Sequence, residues 1–201
     1  HRHKLLPVAP LGELASGLMV FTQNPGVARK MSDDATQLEH EWLAEVVADL
    51  VALFPGSRYV LTVREPHAWL DSMANHSLAH ETPPHWVRWR ELRFRSAELT
   101  HPSEEAAWRD RGLYPLDGYL GSWARHNRMV LEAVPADDLL IVRTEDLADR
   151  LDELAGFCGV PAESLDHSRV HSFPAAGRFG ALADLDPAYV DERIAHHCGA
   201  L

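Results

Sequence analysis

The stretch from Phe54 to Met73 constrains the fold of this chain more than any other. Pro55-Gly56 is a turn sequence, and Tyr59 to Val63 is a short, mostly apolar run of the kind that forms a buried strand. Arg64 stands where that strand ends. Pro66 then suits the first position of a helix, because the N–H that proline lacks would have no partner there. The sequence therefore predicts a strand followed at once by a helix, with an arginine at the junction.

This junction is a suitable place to bind an anion. The guanidinium of Arg64 offers a planar set of donors, and free backbone N–H groups at the start of the helix would face the same point. Ser72 is eight residues after Arg64 and about two helical turns along, so its hydroxyl would reach the same anion. The residues leave a second reading open, in which Arg64 pairs with a carboxylate and Ser72 lies on a solvent-exposed face.

Two later motifs complete a family pattern. Residues 138–147 read DLLIVRTEDL, and residues 154–161 read LAGFCGVP. Together with the strand–Arg–x–Pro–(five residues)–Ser pattern of the first stretch, they resemble the 3′-phosphate segment, the YEDL-type turn and the FLGxP-type helix end of sulfotransferases that use 3′-phosphoadenosine 5′-phosphosulfate (PAPS). The resemblance covers residues 36–165.

The resemblance implies a fold, a reaction and a donor site. The fold is a three-layer α/β/α domain with a parallel sheet, like that of P-loop nucleotide-binding proteins. The reaction is transfer of a sulfuryl group from PAPS to a hydroxyl or amine of a small-molecule acceptor, without a metal. Arg64 and Ser72 would bind the 3′-phosphate of the donor, and Arg178, in a late loop between glycines, would close on the same phosphate. Arg178 also fits a simpler reading, that of an exposed loop arginine.

The resemblance also implies a role for Thr144 and offers two candidates for the catalytic base. Thr144 stands where the family has a tyrosine next to the adenine, so a donor contact there would lack the aromatic ring. The family places its base about two dozen residues before the phosphate-binding arginine, and His40 and Asp34 lie in that region. An imidazole suits the task because its pKa is near neutral. The capping box at 36–39 leaves an alternative, in which His40 is a surface residue of a first helical turn and Asp34 an ordinary helix cap.

The rest of the chain is predicted to form one domain over residues 1–201. Apolar residues at helical spacing over 38–54 predict a helix that leads into the central strand, as a crossover helix of a parallel sheet does. The other predicted elements are a strand near Leu18–Phe21, a short helix over 103–111, a helix over Tyr114–Val134, a strand over Asp138–Arg143, a helix over Glu145–Phe157 and a last helix opened by Asp186-Pro187.

One expected part of the family's site is not seen in the sequence. The family's first strand runs into a short Gly/Ser/Thr loop with a Lys or Arg that holds the 5′-phosphosulfate. Gly12 to Gly17 has the glycine spacing of a phosphate loop, but Leu18-Met19 follows instead of Lys and Ser/Thr. Because losing a single donor to the developing charge can cost about a hundredfold in rate, we expect residues 1–201 alone to bind nucleotide weakly and to transfer little sulfate.

Composition and the remaining motifs limit other functions. A net charge of −11 argues against a nucleic-acid partner, and no stretch of 18 apolar residues suits a membrane span. Two cysteines are too few for a disulfide framework, which favours a reducing, cytoplasmic location. His76 and His80, and His196 to Cys198, lack the partners of a zinc motif, so no metal is expected.

The segment from His85 to Leu99 is unusual in an acidic chain. It interleaves aromatic residues with the basic residues Arg88, Arg90, Arg93 and Arg95. Such a helix is typical either of a lid or acceptor-site wall, or of an amphipathic surface helix whose arginine stems cover apolar groups. Two further function classes stay open: a kinase-like transferase that uses the same anion site, and a non-catalytic sulfotransferase-like binding domain. Neither the acceptor nor the oligomeric state can be read from the sequence.

Overall fold

The structure is a computed structural model that describes residues 6–7, 18–22, 47–79, 84–165 and 177–201. The chain groups into two compact units, the first made of residues 1–64 and 126–174 and the second of residues 65–125 and 175–201. The expectation of a single domain over residues 1–201 stays a prediction.

The described residues contain strands, α-helices and short 3-10 helices. The strands are β1 Leu6–Pro7, β2 Leu18–Thr22, β3 Arg58–Val63 and β4 Leu139–Arg143. The α-helices are α1 Val47–Leu53, α2 Pro66–Ala79, α3 Pro84–Arg93, α4 Ala106–Asp110, α5 Leu116–Ala133, α6 Leu151–Cys158 and α7 Pro187–Cys198. The 3-10 helices are Ser103–Glu105, Ala136–Asp138, Thr144–Asp146, Ala162–Ser164 and Ala181–Asp184.

The first unit contains a sheet in the order β1-β2-β3-β4. The two strands recognised from their apolar runs, β3 and β4, pair in parallel, with Tyr59 opposite Leu139 and Val63 opposite Arg143. This parallel pairing confirms the predicted α/β fold. β1 pairs antiparallel with β2, and β2 pairs antiparallel with β3, so the sheet is mixed rather than wholly parallel.

Among the described strands, the one that precedes α1 is β2, which pairs antiparallel with β3, whereas a crossover helix joins parallel strands. The prediction that the helix before β3 is a crossover helix is therefore wrong. Amphipathic spacing shows that a helix packs on a sheet before β3 begins, but it carries no information about the direction of the strand on the other side of that helix. α1 is described from Val47, and the earlier part of the predicted helix lies outside the described residues.

Helices cover both faces of the sheet in the first unit, which confirms the predicted three layers. Successive residues of a strand point to opposite faces. Tyr59 and Leu61 pack with Val47 and Leu50 of α1 and with Val130 and Val134 at the end of α5. On the opposite face, Val60 and Val142 pack with Cys158 of α6, with Leu154 and Phe157 against them.

The turn into β3 follows the sequence closely. The N–H of Ser57 donates to the carbonyl of Phe54 at 3.2 Å, and Gly56 has a φ of 79°, a left-handed conformation that suits glycine. This turn follows α1 and leads into β3, and Arg64 comes directly after the last residue of that strand, Val63.

The helix predicted over Glu145–Phe157 forms only in its second half. Thr144–Asp146 is a 3-10 helix followed by a turn, and α6 begins at Leu151. The hydroxyl of Thr144 donates to the Glu145 carboxylate at 3.2 Å, and such local side-chain bonds compete with a regular helix. The predicted stop at Gly159 is confirmed, since Gly159 has a φ of 69° and Val160 donates to the carbonyl of Ala155 at 3.0 Å.

The second unit is helical, with an aromatic core. Phe94, Trp108 and Tyr119 are fully buried, and the rings of Phe94 and Tyr119 lie 4.4 Å apart between centroids. The predicted start of α7 is confirmed, because the Asp186 carboxylate accepts the N–H of Ala188 at 2.9 Å and proline fills the first helical position.

Candidate functional site

Arg64 directly follows β3 and is half-buried. β3 pairs with β2 on one side and with the parallel strand β4 on the other, so Arg64 extends from the carboxyl end of an inner strand of the sheet. Within the parts of the chain that the structure describes, the Arg64 guanidinium makes no hydrogen bond and no ion pair. In particular, it has no carboxylate partner there, as the second reading of the sequence would require.

The backbone N–H groups at the start of α2 are not free, contrary to the expectation from sequence. The Glu65 carboxylate accepts the N–H of His67 at 3.0 Å and the N–H of Ala68 at 2.8 Å, and the Glu65 carbonyl accepts the N–H of Trp69 at 2.8 Å. Pro66 has no N–H to offer. Glu65 therefore caps this helix with its own side chain, and an anion beside α2 would depend on side-chain donors.

Ser72 lies in α2 and is half-buried. Its hydroxyl has no hydrogen-bond partner in the described residues. Arg64 belongs to the first unit and Ser72 to the second, so their joint binding of one anion stays a prediction.

Arg178 is exposed in the loop that precedes the 3-10 helix Ala181–Asp184 of the second unit. Its guanidinium makes no hydrogen bond or ion pair with any other described residue. The next residue, Phe179, donates its N–H to Asn75 of α2 at 2.7 Å, which places the loop against the helix that carries Ser72. Two of the predicted donor-binding residues thus lie in one unit, on elements that contact each other.

Thr144 follows β4 directly, at the end of the strand parallel to β3. Its hydroxyl donates to Glu145, which also pairs with Arg143. The pKa of the Glu145 carboxyl lies below its usual value, chiefly because the carboxylate accepts a hydrogen bond from its own backbone N–H. Hydrogen bonds from Arg143 and Thr144 lower this pKa further. Because the Thr144 hydroxyl is engaged in this surface group, its contact with a nucleotide stays a prediction.

His40 and Asp34, the candidates for the base, lie outside the described residues. Their roles therefore stay predictions.

Sequence reasoning missed two residues beside the predicted site. Glu65 holds the position before the first residue of α2, and an acidic residue directly before a helical proline is the signal that would have identified it as a cap. Asn75 was missed because its contact with Phe179 joins residues 104 apart in sequence. The one available signal is an asparagine inside an otherwise favourable helix, where its propensity is poor.

The family assignment rests on a match over most of the chain. The family model described as "Sulfotransferase domain" matches residues 28–174. The chain belongs to the sulfotransferase domain family. This confirms the resemblance found in the sequence motifs, and it supports sulfuryl transfer and a transferase activity. No curated protein and no solved structure matches the chain.

In the described part of this sulfotransferase domain, no group of three His, Cys, Asp or Glu side chains is arranged to hold a metal ion. No helix described by the structure is long and apolar enough to cross a membrane. Cys158 and Cys198 are unpaired and buried, and burial raises the pKa of the Cys198 thiol to about 11, which makes it a poor nucleophile at neutral pH.

Arg93, the last residue of α3, contacts other residues of the second unit. Arg93 donates through Nε to the buried Ser122 hydroxyl at 3.0 Å, and its guanidinium lies 5.3 Å from the Trp89 ring and 5.0 Å from the Phe94 ring. Arg95 pairs with Glu98. The Arg93 contacts favour the amphipathic-helix reading for that residue, whereas Arg95 lies in a turn beyond the end of α3 and Arg88 is exposed.

Replacing Arg93 with alanine is therefore expected to destabilise the protein. The loss of a hydrogen bond and two cation–π contacts should lower the free energy of unfolding by about 1–2 kcal/mol. Urea unfolding measures this, and Arg88→Ala on the same helix should change it by less than about 0.5 kcal/mol. A fully stable Arg93→Ala protein with altered acceptor preference would instead favour a direct role at the acceptor site.

Proposed function

We propose that this sulfotransferase domain uses PAPS as its donor and transfers the sulfuryl group to a hydroxyl or amine of a small molecule. The observation that carries the proposal is that Arg64 is a half-buried residue at the carboxyl end of β3 and that its guanidinium has no partner among the described residues. Arginine is seldom buried without a counter-charge. An anionic ligand with phosphate geometry would supply that charge through paired hydrogen bonds.

The proposed 3′-phosphate ligands are Arg64 of the first unit and Ser72 and Arg178 of the second, and their joint binding of one phosphate is part of the proposal. Arg64, Ser72 and Arg178 all have side-chain donors that no described residue uses. Because Glu65 already satisfies the start of α2, the phosphate would be held by these side chains rather than by helix N–H groups. When bound, PAPS would supply the activated sulfuryl group, and the protein residues would hold the nucleotide in place.

The acceptor side of the proposal rests on the sequence. A hydroxyl acceptor must lose its proton as the new bond to sulfur forms, and His40 or Asp34 is the proposed base. Direct sulfuryl transfer to an organic acceptor needs no metal. We propose no nucleic-acid or membrane partner, and a cytoplasmic location agrees with two buried, unpaired cysteines.

Comparing two nucleotides by calorimetry tests the proposed donor. Adenosine 3′,5′-bisphosphate is expected to bind at least tenfold more tightly than adenosine 5′-monophosphate, because charge-assisted hydrogen bonds to the 3′-phosphate contribute about 1.5–3 kcal/mol. EDTA should leave both affinities unchanged. Equal affinities would contradict the proposal, and Mg²⁺-dependent binding of ATP would favour a kinase-like transferase.

A further inference from the structure

The loop that carries Arg178 is held through both backbone polar groups of one residue, Phe179. The N–H of Phe179 donates to Oδ1 of Asn75 at 2.7 Å, and Nη1 of Arg111 donates to the carbonyl of Phe179 at 3.0 Å. Gly180 follows with a φ of 64°, and its neighbour Ala181 is fully buried. The backbone just after Arg178 therefore has a defined position in the second unit.

Asn75 is a costly residue to place in the middle of α2. It is 2% exposed, and burying a carboxamide is unfavourable unless its polar atoms are hydrogen-bonded. Asparagine also forms helices poorly, so an apolar residue would serve better if packing were its task. The short bond from the Phe179 N–H gives the carboxamide oxygen a specific task, which is to hold the Arg178 loop.

Asn75 and Ser72 are neighbours on α2. They are three residues apart, and side chains at that spacing project from adjacent positions, with Cβ atoms about 5–6 Å apart. Arg178 is the residue before Phe179, and its exposed guanidinium has no partner in the described residues. The loop is thus fastened to α2 one turn from the hydroxyl proposed to bind the 3′-phosphate.

We propose that Asn75 is a positioning residue, which holds Arg178 beside Ser72 so that both donate to one phosphate group. The inference rests on the proposed function, since that group is the 3′-phosphate of the donor. Asn75 itself would not touch the ligand. A tethered loop has less conformational freedom to lose when Arg178 binds, so the tether raises affinity through pre-organisation.

A double-mutant cycle with calorimetry tests this role. Asn75→Ala is expected to weaken binding of adenosine 3′,5′-bisphosphate about tenfold, which is within the range of pairwise couplings, and to leave adenosine 5′-monophosphate unaffected. In the Arg178→Ala background, Asn75→Ala should cost nothing further. If Asn75→Ala does not fold, Arg111→Met tests the tether at the Phe179 carbonyl, because it keeps an apolar stem and removes both the donor to that carbonyl and the ion pair with Asp184.

The controls separate positioning from stability. Asn127 is a second asparagine that is 3% exposed, and Asn127→Ala should lower the melting temperature without changing the preference for the 3′-phosphate. If the effects of Asn75→Ala and Arg178→Ala simply add, or if Asn75→Ala weakens both nucleotides equally, the positioning role is wrong and the proposed function stands. If the unmutated protein shows no preference for the 3′-phosphate, both are wrong.

Discussion

Replacing Arg64 with alanine is expected to weaken the binding of adenosine 3′,5′-bisphosphate about 30- to 150-fold, equivalent to about 2–3 kcal/mol. The expected loss is large because the guanidinium of the half-buried residue Arg64 has no partner among the described residues and would give both a charge and paired donors to the 3′-phosphate. Adenosine 5′-monophosphate lacks that phosphate, so its affinity should change little. Titration calorimetry with the two nucleotides measures the difference directly.

Two further variants make the Arg64 result specific. Arg128→Ala removes an exposed arginine from the same unit and should leave both affinities unchanged. Arg64→Lys keeps the charge but loses the planar pair of donors, so an intermediate affinity is expected. If Arg64→Ala lowers thermal stability while the preference for the 3′-phosphate persists, Arg64 pairs with a carboxylate of the protein, and the donor site must be sought elsewhere.

The strand–arginine–helix unit could be predicted from sequence because each of its parts has a local cause. The apolar run of β3 is central in its sheet, Pro55-Gly56 forces the turn before it, and Pro66 fits only the first turn of α2. The same reasoning found β4 and the start of α7, where Asp186 is the cap and Pro187 the first helical residue. Local signals were sufficient wherever the decisive contacts lie within a few residues of each other.

The parts that could not be predicted depend on competition or on distant contacts. Free N–H groups at the start of α2 were expected, but a side chain one residue away, that of Glu65, competes for them successfully. The antiparallel pairing of β2 depends on where the chain returns after α1, which no local pattern encodes. The anchoring of the Arg178 loop by Asn75 and Arg111 likewise requires the tertiary structure.

Glu105 is expected to be the most important single side chain for the stability of the second unit. It is 1% exposed, and its carboxylate accepts the Leu116 N–H at 3.0 Å and the Tyr189 hydroxyl at 2.8 Å. The first bond satisfies a backbone donor at the start of α5, and the second connects to α7. One carboxylate therefore fastens two helices to the 3-10 helix in which it lies.

Glu105→Ala should accordingly lower the free energy of unfolding by about 3 kcal/mol or more, because two donors lose their buried acceptor and each unsatisfied group costs about 1–3 kcal/mol. Glu104 is the matched control, since it is the preceding residue of the same 3-10 helix and is exposed. Glu104→Ala is expected to change stability by less than about 0.5 kcal/mol. Equal urea midpoints for the two variants would contradict the fastening role of Glu105.

The pH dependence of Glu105→Gln provides an independent test. Burial raises the pKa of the Glu105 carboxyl, and the hydrogen bonds from Leu116 and Tyr189 offset this only in part. The folded protein therefore holds the proton more tightly than the unfolded chain does. The stabilisation of the folded state that comes from this pKa difference is fully present below the pKa of Glu105 in the unfolded chain, about 4.3. It is lost as pH rises through the higher pKa of Glu105 in the folded protein.

Glutamine can keep both hydrogen bonds, because its amide oxygen accepts the Leu116 N–H while its NH₂ donates to the Tyr189 oxygen. Unlike glutamate, glutamine does not ionise. The stability of Glu105→Gln relative to the unmutated protein should therefore increase as pH rises from about 4.3 towards neutral. Asp117 acts in the opposite direction: burial tends to raise its pKa, but hydrogen bonds from His197 and Arg193 outweigh burial and lower it. Because Asp117 is the same in both proteins, its effect cancels in the difference. A difference that stays constant with pH would mean that Glu105 titrates alike in the folded and unfolded states, and that its two hydrogen bonds balance the cost of its burial.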